Sequence, residues 1–184
     1  MIPLVTGEEA LRRLFSALTE HTFQVEMGVA DPQLTDYLIE MLVRFTRSEA
    51  MFRHRDTEGR RLVEVVDMLE EAQLRESGPQ RELHRHIGDY TLFWTGIYPE
   101  ALPRLQSQGT RDSLIDFEAQ GRESYRIASR FEEEPFEDEA PVLKRLSDDY
   151  DLCRQGLNRV RQEWDQLPAE TISRYESPDS DTTS

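Results

Sequence analysis

Glu82, His86 and Asp89 stand four and three residues apart, so on a helix all three project from one flank. A carboxylate–imidazole–carboxylate row is competent to bind a divalent metal. It could equally orient an imidazole for proton transfer. Di-metal bundles, however, combine two Glu-x-x-His pairs with further Glu residues from facing helices. That spacing is missing, so neither a metal nor any other cofactor is expected. The structural reading makes Glu82 and His86 boundary partners. It leaves Arg85 and Asp89 as an i,i+4 ion pair worth a few tenths of a kcal/mol. His84 and His86 are not a chelate on a helix, because two residues turn the chain by about 200° and set them on opposite sides.

A second polar intrusion is Glu118 with Arg122, near Tyr125. Glu118 falls about 40° from Leu114 on the wheel. An ionised carboxylate so close to an apolar stripe is costly unless paired, and Arg122 is the local partner. Were this helix packed on the one carrying His86 and Asp89, Glu118 and Tyr125 would face them in an inter-helix polar cluster. Trp94, Tyr90, Phe93 and Tyr98 could line a pocket, and Tyr90 is kept in the candidate ligand set. Aromatics at helical spacing are core in the first instance. Cys153 sits on an apolar seam, where it acts as a small buried hydrophobe.

The element that positions the row is a central helix over residues 79–97. Leu83, Ile87, Tyr90, Trp94 and Ile97 form its apolar stripe, and apolar or small residues on most other sides imply enclosure by neighbouring helices. Gly88 costs such a helix about 1 kcal/mol relative to Ala. Close approach of a second helix would compensate, and Gly121, on the stripe Leu114, Phe117, Gly121, Tyr125 and Ala128, is its natural counterpart. The run Gly88-Asp89-Tyr90-Thr91-Leu92-Phe93, with Gly96 and Pro99-Glu100 behind it, resembles a group of uncharacterised bacterial helical proteins of similar length. The similarity extends from about Tyr37 to the Gly121-x-x-Ser124-Tyr125 segment. That resemblance implies a helical bacterial domain and no particular activity.

Elsewhere the patterns are also helical. Thr6 and Glu9 form a capping box ahead of Leu11, Leu14, Phe15 and Leu18. Residues 21–28 read either as an extended connector or as a continuation of that helix. Asp31-Pro32 is a cap followed by a first-turn proline. Asp56 or Thr57 is expected to cap the helix carrying Leu62, Val66 and Leu69. Residues 99–105 read as a short helix or turn, and 131–140 as an acidic loop. From Leu143 through Tyr150, Cys153 and Val160 to Leu167 an unbroken apolar rhythm predicts one long final helix. Such a seam means either a strap across the bundle, the simpler case, or a coiled-coil contact with a second copy. The expectation is an all-α, single-domain bundle of about five or six helices over residues 1–167. Residues 168–184 form a disordered acidic and polar tail.

A net charge of −15, with 32% charged residues, argues against nucleic acid, whose phosphates demand a basic footprint. No run of apolar residues approaches a membrane span, and a single cysteine permits no intramolecular disulfide. Together these predict a cytoplasmic protein. The expected function is a helical module acting through protein contacts, as a homodimer in one version. The alternative is a metal- or small-ligand-binding bundle built on the Glu82, His86 and Asp89 row.

Overall fold

In the computed structural model, residues 7–168 are described. The Thr6 capping box and the tail beyond Pro168 lie outside the described residues. Within them the chain is all helical. Nine α-helices run in the order α1 (Gly7–Glu20), α2 (Pro32–Phe45), α3 (Ser48–Met51), α4 (Val65–Leu74), α5 (Ser77–Gly96), α6 (Leu102–Leu105), α7 (Phe117–Ser129), α8 (Ala140–Asp148) and α9 (Tyr150–Gln166). This exceeds the expected five or six, because α3 and α6 are single turns and the final helix is divided. No strands occur among the described residues, only an isolated bridge between Arg55 and Arg61. No described helix is long and apolar enough to cross a membrane.

The central helix is α5, packed against α4, α7 and α9. Its enclosure follows from the sequence: Leu83, Ile87, Tyr90 and Leu92 are buried, as are Gly88, Thr91 and Thr95 on its other sides. The α5–α7 crossing is reciprocal. A Cβ on Gly88 would come 2.5 Å from the Tyr125 ring, and one on Gly121 would meet Thr91 and come 2.7 Å from the Tyr150 hydroxyl. Each helix therefore takes the other's side chain into a notch that any larger residue would fill.

Residues 21–26 continue α1 as a wider π-turn, which resolves the ambiguous segment in favour of the helix. Gly28, with φ of 68°, then reverses the chain. Asp31 caps α2 as expected, accepting from Leu34 N at 3.2 Å. The expected long final helix breaks at Asp149, which leaves helical geometry (φ −111°, ψ 31°). Because a single residue departs, the apolar rhythm survives across the break. The bend lets α8 pack on α7 and α2 while α9 packs on α5 and α1. Leu143, Leu146, Tyr150, Cys153, Leu157 and Val160 are all fully buried, so the seam is enclosed in the chain's own core as far as Val160, and its last members, Trp164 and Leu167, are half-buried.

Two helix starts differ from expectation. Asp56 does not cap α4; it closes a tight turn, accepting from the backbone N–H of Glu58 and Arg60. The α4 cap comes from Asp112, whose carboxylate accepts from Val65 N at 2.8 Å and Val66 N at 2.9 Å. Nor does a helix run on from Arg111. Residues 111–114 form one 3-10 turn, Leu114 is 95% exposed, and Asp116 caps α7, accepting from Ala119 N. Asp112→Ala would orphan two backbone donors at the start of α4. The expected loss is about 2 kcal/mol, read from the denaturant midpoint, and Asp112→Asn, which keeps one acceptor, should lose less.

The acidic loop before α8 is held by cations from α5. Arg81, only 2% exposed, pairs with Glu82 and Glu139 and lies 4.4 Å from the Phe136 ring centroid. Arg85 bonds Glu139 as well.

Candidate functional site

Asp89 is 1% exposed and completely engaged. Its Oδ1 accepts from the hydroxyls of Tyr37 and Tyr125, each at 2.7 Å, and its Oδ2 from Arg44 at 2.9 Å. Arg85 Nε donates to the Tyr37 hydroxyl at 3.2 Å. Burial alone would raise the Asp89 carboxyl. Arg44, Arg85 and the two phenols outweigh it and hold the group below the usual carboxylate range. Burial and the Asp89 charge keep both phenols protonated. This network ties α2, α5 and α7 together; with three donors on its two oxygens and almost no exposure, Asp89 is closed to solvent and committed to holding the helices.

The other members of the expected row have separate surroundings. Glu82 is half-buried and pairs with Arg53, Arg81 and Arg85. His86 is buried among rings, with its centroid 4.6 Å from that of His54 and 5.9 Å from that of Phe45. Its Nε2 has no hydrogen-bond partner. Among the described residues no group of three His, Cys, Asp or Glu side chains is placed to hold a metal ion. His84 leaves the opposite side of α5 and meets Ser124 at 3.3 Å. Glu118 does not turn inward to Arg122 but pairs with Arg154 on α9 at 3.0 Å. Arg122 is exposed; its backbone carbonyl accepts from Ser147, and its charge acts on Asp151 rather than on Glu118 or Asp89. Of the second cluster, only Tyr125 reaches Asp89.

Burial, then the adjacent His54, push the His86 imidazole down to about 3. Burial and Arg53 push His54 down to about 4. Both are neutral in the fold, whereas the unfolded chain takes up these protons below about 6.5. The unfolded state therefore binds more protons as the pH falls from 6.5 to 4, and stability drops through that window. His86→Leu removes no partner from Nε2. It should leave stability at pH 7 nearly unchanged and cut the loss between pH 7 and pH 4 by about 3 kcal/mol, measured by urea unfolding at each pH.

A cleft of about 770 Å³ opens further along α5, beside Tyr90, Phe93 and Trp94, between α1, the end of α2 and α9. Its apolar lining includes Phe15, Phe45, Phe93, Trp94, Tyr98 and Trp164. The rings pack on one another: Phe15 and Trp164 have centroids 4.8 Å apart, Phe45 and Phe93 5.4 Å. Tyr90, alone of the expected ligand residues, lines this cleft. Comparison with protein-family models, curated proteins and solved structures finds no match. The chemistry of the cleft must therefore be read from its own residues.

Its polar groups divide into committed and uncommitted. Arg161 donates to Ile97 O at 2.8 Å, pairs with Glu100 and Asp165, and stacks over Tyr98. Thr46 donates to Val43 O. Trp94 Nε1 is buried and directed at the Tyr90 hydroxyl, one turn back on α5. Arg104 is exposed at the rim and has no carboxylate partner among the described residues.

The cleft lies further along α5 than the expected row, beside Tyr90, Phe93 and Trp94; the sequence names Trp94, Tyr90, Phe93 and Tyr98 as candidate pocket residues but favours core for them. Two partners of Asp89 had a signal. Tyr37 and Arg44 are seven residues apart, hence on one face of an otherwise apolar α2. The cleft had a signal only in the aromatic run from Tyr90 to Tyr98, since its other walls come from elements distant in sequence.

Proposed function

We propose that this protein is a binding module whose site is the aromatic cleft, and that it takes a small amphipathic molecule. The observation that carries this reading is the ring-lined volume of about 770 Å³, within the range that small-molecule sites occupy. The groups with acid–base potential support binding over bond-making. Asp89 is buried and held by three donors, His86 is held neutral, and burial pushes the Cys153 thiol up to about 12. A partner protein or second copy, the expectation raised by the final seam, has less support, because that seam is enclosed as far as Val160.

Both tryptophans of the chain, Trp94 and Trp164, line the cleft, so intrinsic fluorescence reports on it directly. Titration with ten-carbon amphiphiles should give a saturable emission change at one ligand per chain, diminished in Trp94→Phe and Trp164→Phe alike. A panel that produces no saturable change overturns the reading.

A further inference from the structure

The lining of the cleft also carries information about the charge of its occupant. Among its charged groups one is uncommitted, the rim guanidinium of Arg104, exposed on α6 and without a carboxylate partner among the described residues. The one carboxylate in the lining, Asp165, is taken by Arg161. In a chain with 37 acidic and 22 basic side chains, the lining holds Arg104 and Arg161 against Asp165. Arg161 is matched by Asp165 and Glu100, so the charge left without a partner is that of Arg104. A cationic guest would be repelled by that guanidinium and a neutral one would gain no charge-assisted bond, whereas an anion gains one.

We propose, resting on the cleft reading above, that the ligand is an apolar monocarboxylate. Its hydrocarbon body lies on the aromatic lining, and its carboxylate is met at the rim by Arg104 through charge-assisted hydrogen bonds. Arg104 is exposed on the short helix α6, so replacing it leaves the core intact.

The test uses three probes of equal chain length, decanoate, decanol and decyltrimethylammonium, titrated against tryptophan emission in the full chain, Arg104→Gln and Arg104→Lys. Decanoate should bind the parent about tenfold more tightly than decanol, and the ammonium most weakly. Arg104→Gln should weaken decanoate about tenfold and leave decanol unchanged, while Arg104→Lys keeps most of the preference. Thermal melts of the variants that match the parent confirm the fold. Equal affinity for all three probes, or a decanoate preference that survives in Arg104→Gln, overturns the carboxylate assignment but leaves the cleft as a binding site. Failure of all three to bind overturns the cleft reading itself.

Discussion

Asp89→Leu should destabilise the fold by about 3–5 kcal/mol, the range for a buried charge pair broken on one side. The substitution leaves two buried phenols without their acceptor and strips Arg44 of its counter-ion. Asp89→Asn should lose less but still substantially, because an amide presents a donor where three donors already converge. The decisive measurement is coupling. In the triple variant Asp89→Leu, Tyr37→Phe, Tyr125→Phe the orphaned hydroxyls are gone, so its loss in urea unfolding should fall well below the sum of the single losses. Strict additivity, with each single change below about 1 kcal/mol, would show that the three groups do not act as one network. The direction of the Asp89 shift adds a pH dependence. Its carboxyl lies below the usual range in the fold, so its contribution is fully present above the unfolded carboxylate value near 4 and is lost as the pH falls toward its folded pKa.

Gly121→Ala is the second large effect. A methyl group there meets Thr91 Oγ1 and comes within 2.7 and 2.8 Å of Tyr150 Oη and Cε2. Neither neighbour can yield easily. Thr91 is β-branched, fully buried and bonded to Ile87 O and by the Tyr150 hydroxyl. Overpacking of this kind costs about 1–3 kcal/mol or more, against the roughly 1 kcal/mol that alanine contributes to a helix. A net loss of about 2 kcal/mol in unfolding free energy is expected. Gly78→Ala is the control: its Cβ meets nothing nearer than Phe136 at 4.0 Å, so that variant should be neutral or slightly stabilised. Equal behaviour of the two would mean that the α5–α7 crossing is looser than described.

How much of this could be read beforehand depended on range. The helical stripes of α2, α5 and α9, the Asp31 cap and the small-residue crossing at Gly88 and Gly121 are properties of local period and residue size. A helix repeats every 3.6 residues whatever lies across from it. The separation of His84 from His86 onto opposite sides of α5 follows from the same geometry. The Asp112 cap is different in kind: an orphan N–H at the start of α4 accepts any carboxylate, and the one that serves lies 47 residues away. The Glu82, His86 and Asp89 row illustrates the same limit. Its members share one flank, yet the surroundings that decide the state of His86 and Asp89, the His54 and Phe45 rings and the Tyr37, Arg44 and Tyr125 donors, come from other elements.

The sequence by itself determined that the chain is helical, that α5 is enclosed, and which two glycines admit a neighbouring helix, because these depend on periodicity and side-chain volume along a short stretch. Only the tertiary structure decided that Asp89 is sealed by Tyr37, Tyr125 and Arg44, and that a cleft opens further along α5, beside Tyr90, Phe93 and Trp94. A cavity is the space that several distant elements leave between them, and that space is set by how the helices cross, not by any one of their sequences.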